Sequence, residues 1–249
     1  MPFPSQRGRS SARRHGRPGW TLGLALPILL AGCVGGPGGL PLGGGATEAP
    51  AASSVDLSHC PTSQPTALAA GQTRTVTITT PKGTIVIKVD ATKAPIATGN
   101  FVALASCGYY TGVVFQRLVP GFIIQGGDGQ YGRVRSDGKL AVADLAKVGS
   151  GTPGYTIADD PPRTDYTRGT VAMARTGDPH SEAAQFFIVL GDGPDTQSLS
   201  TSNPYGYAII GSVTSGMDVV DAIAAMPNTG DPNNAAVDPV PMTAVTVGP

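Results

Sequence analysis

A single guanidinium interrupts an apolar run: Arg117 in VVFQRLVPGFIIQGGD, residues 113–128. Among Val113, Val114, Phe115, Leu118, Val119, Phe122, Ile123 and Ile124 it loses hydration that something polar must replace. Taken alone it reads as a surface or salt-bridged arginine on an edge strand. In a site, its fixed fork of N–H donors would meet a polar partner. Strand alternation predicts Phe115 and Arg117 on one face, and Pro120-Gly121 then turns the chain into Phe122. Regular pleating would separate Phe122 from Gln125, so a shared site requires a bend, with Gly126 and Gly127 as the place for a bulge. Phe186 and Phe187 point oppositely in a strand, which lets one belong to the core and the other to a site.

Other patterns are weaker. Gly127, Gly129 and Gly132 satisfy GxGxxG, but no helix pattern follows and no βαβ unit surrounds them. Asp178, His180 and Ser181 are triad-type residues crowded into one short loop without a nucleophile elbow, and they read as loop polar groups. His59 and His180 fall in no ligand spacing, so neither a metal nor a cofactor is expected.

Period-two alternation in TRTVTITT and TIVIKVD, joined by Pro81-Lys82-Gly83, predicts a β-hairpin. Further strands are predicted at 113–118, 121–125, 170–175, 186–190, 208–213 and 240–247. Pro95 and the spacing of Ile96, Phe101, Leu104 and Ala105 predict a helix over 95–107, and GMDVVDAIAAM a second one. Eight short strands with two helices imply a mainly β fold: an antiparallel eight-stranded sheet closed into a barrel and capped by the two helices.

The chain begins with Arg7, Arg9, Arg13, Arg14 and Arg17 and no acid, then an apolar stretch over 20–31. Twelve residues are short of the ~20 that span a bilayer, so 1–32 is expected to be a secretory signal peptide. Arg13-Arg14 lacks the apolar pair of a twin-arginine signal. Leu30-Ala31-Gly32-Cys33 resembles the bacterial lipobox, which implies acylation of Cys33 and a place on the outer face of the cell membrane. Residues 33–58 are rich in Gly, Pro, Ala and Ser and read as a tether; 59–249 is the expected folded domain. Beyond Cys33 stand 12 basic and 17 acidic residues, a net −5, which argues against a nucleic-acid partner. With Cys33 lipidated, Cys60 and Cys107 remain in an oxidising compartment. Two arrangements stay open, a disulfide or two separate thiols with Cys107 buried near a helix end.

FQRLVPGFIIQGGD resembles the signature of cyclophilin-type peptidyl-prolyl isomerases, and GTVAMARTGDPHSEAAQFFIVLGD, residues 169–192, resembles that family's other core segment. GTIVIKVD, APIATGNFVAL and YAIIGSVTSGMDVVDAI match it too, in order, so the similarity covers roughly 73–225. The resemblance implies a monomeric eight-stranded barrel that binds proline-containing polypeptides. It implies Arg117 as the catalytic arginine, with Phe122, Ile123, Gln125, Ala174, Arg175, Gln185, Phe187, Leu199 and Tyr207 at the substrate. Ile123 stands where the family often has methionine, Arg175 where many members have asparagine, Ser198 where tryptophan is common, and Tyr207 for a frequent histidine. The loop from Asp192 to Tyr207 is longer than usual. These departures imply weakened cyclosporin binding. They also motivate a rival reading, a non-catalytic module that holds proline peptides as a chaperone or scaffold.

Overall fold

In a computed structural model of the protein, the residues described are 55–135, 137–140, 145–160, 166–200 and 205–249. The leader, Cys33 and most of the tether lie outside them. The chain runs through β1 (Thr73–Thr80), β2 (Gly83–Asp90), α1 (Pro95–Ser106), β3 (Val114–Val119), β4 (Ile123–Gly126), β5 (Thr170–Met173), β6 (Phe186–Val189), α2 (Pro194–Ser198), β7 (Ile209–Ser215), α3 (Met217–Ala224), β8 (Ala235–Pro241) and β9 (Ala244–Gly248), with one 3₁₀ turn at Leu145–Lys147. The strands form one sheet in the order β8-β3-β4-β6-β5-β7-β2-β1-β9, and every pairing is antiparallel.

Alternation does its expected work in the first hairpin. Val76 and Ile78 on β1 face Ile87 and Ile85 on β2, all buried, while the intervening threonines are more exposed. A two-residue turn requires Gly83 at φ +134°, a region side chains avoid. The sheet curls around these side chains, and α1 and α3 cover the barrel with Phe101, Leu104, Val220 and Ile223. Phe101, Tyr110 and Phe186 fill the middle with ring centroids 5.3–5.6 Å apart, mostly edge to face. Two amides at the start of α1, Ile96 N and Ala97 N, donate to Asp160 Oδ2 at 2.6 and 3.0 Å, so a carboxylate sits on the positive end of the helix.

Two counts differ from the sequence reading. The strand expected over 240–247 is two strands, which makes nine among the described residues. β8 pairs with β3, Met242 N donates to Val113 O, Thr243 N donates to Thr79 O, and β9 then pairs with β1. One stretch of chain therefore changes partners and joins the two edges of the curl. Pro239 and Pro241 have no N–H to extend a single ladder. Among the described residues the helices number three rather than two, because Pro194–Ser198 forms a short helix with proline in its first turn. Five residues are too few to show helical periodicity.

Cys60 and Cys107 are joined by a disulfide with Cα atoms 5.2 Å apart. It ties the start of the domain to the residue that ends α1.

Candidate active site

Outside the barrel a second apolar cluster coats the sheet: Ile123, Tyr166, Ala172, Phe187, Val189, Leu199 and Ile209, with Phe122, Ala174 and Tyr207 packed on it. The residues of the expected site meet here because one row crosses the strands. Arg117 pairs with Gln125, Gln125 with Phe187, Phe187 with Ala172, and Ala172 with Ile209. Phe186, one residue away, belongs to the barrel core.

What turns Arg117 outward is a bulge in β3. The register shifts between Phe115 and Arg117 against both β4 and β8. Phe115 is fully buried in the core, and Arg117 lies on the opposite face. The expectation that both share a face is thereby corrected: the extra residue, Gln116, breaks the alternation. The expected bulge at Gly126-Gly127 is corrected as well, since the extra residue lies on β3, across from Gln125-Gly126, and Gly126 pairs in regular register with Phe186. Phe122 precedes β4, its amide donating to Val119 O at 3.0 Å, so strand pleating does not govern it. That is how Phe122 and Gln125 come to one cavity.

The cavity has a volume of about 390 Å³. Arg117 and Gln125 stand at its polar side, and Phe122, Ile123, Phe187, Leu199 and Tyr207 form its apolar walls, with Ala174 and Ser198 completing them. The Tyr207 ring meets Phe187 edge-on at 5.4 Å. Gln125 also lines two neighbouring hollows, one of about 280 Å³ with Gln185 and Ala174, the other of about 420 Å³ with Arg117, Val148 and Pro232.

Gln185 does not line the central cavity but fixes the amide that does. Its Nε2 donates to Gly149 O at 2.9 Å and Gly151 O at 3.1 Å, which leaves Oε1 to accept from Gln116 Nε2 at 2.8 Å and Gln125 Nε2 at 3.0 Å. Those glycines are held in turn by Asp128. Gly149 N and Gly151 N donate to its Oδ2, and Gln130 N and Tyr131 N to its Oδ1. Asp128, fully buried, exchanges its hydration for four amide donors.

Arg175 lines the cavity with main chain rather than guanidinium. Its side chain is 1 % exposed, paired with Asp159 at 2.7 Å. It also donates to Asp178 O at 2.7 Å and lies 4.8 Å from the Tyr205 ring centroid. Asp178, His180 and Ser181 make loop contacts: Ser181 Oγ donates to Asp178 O, and His180 Nδ1 accepts from Asp159 N.

Residues 75–247 match the family model described as cyclophilin type peptidyl-prolyl cis-trans isomerase/CLD. The chain belongs to the cyclophilin-type peptidyl-prolyl isomerases. It is 40 % identical over 150 residues to the peptidyl-prolyl cis-trans isomerase cyp18 of Streptomyces antibioticus, covering 60 % of this chain and 82 % of that one. Isomerase B of Escherichia coli is 38 % identical over 149 residues, with 59 % and 82 % covered. A crystal structure of a cyclophilin-type isomerase from Cryptosporidium parvum superposes with a TM-score of 0.55 at 25 % identity, covering 72 % of this chain and 99 % of that one. The cyclophilin activity, cis–trans isomerisation of Xaa-Pro bonds, is that of this chain, and binding of proline-containing peptides goes with it. A non-catalytic module is not the reading these relatives support.

Reading this cyclophilin from its sequence missed Gln116, Asp128, Tyr166 and Asp159 as partners of the site. Asp128 had a signal: an acid directly after Gln125-Gly126-Gly127, where an apolar strand ends. Tyr166 had none, since its partner Tyr207 is 41 residues away.

Proposed function

We propose that Arg117 is the catalytic residue, that the 390 Å³ cavity takes the prolyl ring, and that Gln125 fixes the substrate backbone. The observation that supports this is the bulge in β3, which puts a guanidinium beside a cavity walled by Phe122, Ile123, Phe187 and Leu199. Uncatalysed, an Xaa-Pro bond isomerises in ~10–100 s, because amide resonance is lost as the bond twists. Twisting leaves the prolyl nitrogen with a lone pair that the planar amide lacks. A donor at that nitrogen binds the transition state better than the ground state. Turnover of ~10 s⁻¹ requires roughly a thousandfold acceleration, or about 4 kcal/mol. A charge-assisted hydrogen bond contributes ~1.5–3 kcal/mol. Apolar contact with the ring and the hold of Gln125 on the backbone supply the remainder.

The remaining positions act as the geometry of each suggests: Ala174, Phe187, Leu199 and Tyr207 as wall, Arg175 and Gln185 as supports. A cyclophilin from Cryptosporidium parvum was crystallised in the presence of the dipeptide Ala-Pro. The hollows on either side of Gln125 leave room for residues flanking such a dipeptide. Ser198 in place of the family's common tryptophan opens the cavity rim, and cyclosporin binds weakly.

The substrates are exported polypeptides. The signal over 1–32 directs export and is removed, and the acylated Cys33 then holds the domain on the outer face of a bacterial membrane, with 33–58 as its tether. The test of the chemistry is NMR exchange of a short Xaa-Pro peptide. Wild type broadens the cis and trans lines and Arg117→Ala does not; equal broadening by both refutes the role of Arg117. The test of the anchor is labelled palmitate, incorporated by wild type and not by Cys33→Ala.

A further inference from the structure

Glu182 has no part in the chemistry above, yet it is an acid only 1 % exposed, directly behind the cavity wall. Its Oε1 accepts from Ala208 N at 2.9 Å, and its Oε2 is buried without a partner. Its main-chain oxygen accepts from Ile157 N at 2.9 Å, tying it to the segment that carries Asp159 and Asp160. Ala208 follows Tyr207, whose main chain is gripped from the other side. Tyr166 OH donates to Tyr207 O at 2.8 Å and accepts from Tyr207 N at 3.0 Å. Two buried side chains therefore clamp the dipeptide Tyr207-Ala208 between them.

We propose that Glu182 is a positioning residue for the proline cavity: its carboxyl, bonded to the Ala208 amide, holds the Tyr207 ring against Phe187 and so sets how tightly a prolyl ring is gripped. This rests on the reading that the cavity takes that ring. An acid in this setting is stable with its proton on, because one amide donor does not replace the hydration of a carboxylate. Burial accordingly pushes the Glu182 carboxyl up to about 8. Asp159 and Asp160 push the same way, while the Ala208 amide and Arg175 oppose them. Tyr166 also faces it and, raised by its own burial, stays a neutral phenol. Arg175 is the cation within reach, but Asp159 already holds it, and His180 N–H donates to the same carboxylate. Loss of the Glu182 proton must therefore pull Arg175 from Asp159 or admit water, and either shifts the Tyr207 wall.

The experiment uses the full chain, wild type, Glu182→Gln and Glu182→Ala, from pH 6 to 9.5. The readouts are Kd of a short Xaa-Pro peptide from NMR titration, and kcat and KM from exchange. Glu182→Ala leaves the Ala208 amide without an acceptor and raises Kd and KM at least fivefold, with kcat within about twofold. Glu182→Gln keeps the acceptor without the proton and recovers most of that loss. Wild-type Kd climbs above pH 8, and that of the glutamine variant stays level. Equal Kd for all three, or the same alkaline rise in the glutamine variant, overturns the proposal. If Glu182→Ala fails to fold, the pH profiles of the other two decide. A wild type that binds no proline peptide sinks the cavity reading itself, together with this proposal; binding that ignores Glu182 sinks the proposal alone.

Discussion

Gln125 and Gln185 meet amide to amide, Nε2 to Oε1 at 3.0 Å, and only one orientation of the pair is consistent with its surroundings. The carbonyls of Gly149 and Gly151 require Gln185 to present its nitrogen to them, so its oxygen must face Gln125. The cavity lined by Gln125 thus inherits its geometry from Asp128, through two glycine carbonyls and one amide, without direct contact. Gln185→Ala is expected to lower kcat/KM by on the order of tenfold or more, given ~1.4 kcal/mol per decade and several bonds released. Gln185→Glu should do no better, because its carboxylate would oppose two carbonyl oxygens. Peptide exchange rates check both, and wild-type rates in either variant would detach Gln185 from the site.

Replacing Arg117 separates charge from shape. Arg117→Ala removes a charge-assisted hydrogen bond of ~1.5–3 kcal/mol, which corresponds to roughly 10- to 150-fold in kcat. Arg117→Lys keeps the charge on a flexible stem without the planar fork, and should recover only part of the loss. The walls of the cavity are untouched in both, so KM should move by less than threefold. A large change in KM with kcat intact would mean that Arg117 binds substrate rather than stabilising the twisted bond.

Ser198 is exposed at the rim of the cavity, where the family commonly has tryptophan. Ser198→Trp adds apolar surface on the order of 100 Å², which at ~25 cal/mol per Å² is about 2.5 kcal/mol before ordering costs. Cyclosporin affinity measured by calorimetry should rise at least fivefold. No gain would show that the rim does not limit that binding.

The raised Glu182 carboxyl also makes folding stability depend on pH. Unfolded, the group has its ordinary value of 4.5; folded, it lies at about 8. The folded state holds a proton that the unfolded state has released, so this contribution is intact below pH 4.5 and declines as pH rises through 8. Glu182→Gln abolishes this pH dependence. Urea denaturation at pH 6 and pH 9 should show the variant gaining on wild type at the higher pH. Parallel stabilities at both would mean that the acid is not held neutral in the fold.

The pattern of residues carried much of this, and the limits were local. Alternation in β1 and β2 placed Val76, Ile78, Ile85, Ile87 and Val89 inward, since one buried face imposes period two. The same rule failed at Phe115 and Arg117, because a bulge has no composition of its own; Gln116 is an ordinary residue in an extraordinary register. The division of the last strand depends on which edge of the curled sheet each half meets; Pro239 and Pro241 interrupt the ladder but do not name the partners. Arg117 was legible because a cation in an apolar run demands an explanation. Glu182, Asp159 and Tyr166 were not, because each is an unremarkable polar residue until partners 16–41 positions away bury it.

The disulfide offers the sharpest test of how the domain is fastened. Cys60 and Cys107 stand 47 positions apart and enclose β1, β2 and all of α1. Closing a loop of that length removes about 4 kcal/mol of chain entropy from the unfolded state. For a domain of this size each kcal/mol is worth ~2–4 °C, so Cys60→Ser with Cys107→Ser should lower Tm by roughly 8–16 °C. The cavity is built from β3 to β7 and from loops outside this segment, so the folded double variant should isomerise peptides at close to the wild-type rate. A variant with unchanged Tm would show that the unfolded chain is already held by other contacts. One with normal Tm loss but no activity would show that the N-terminal segment reaches the site, through Gln64 Oε1, which accepts from Ala158 N beside Asp159 at 2.8 Å.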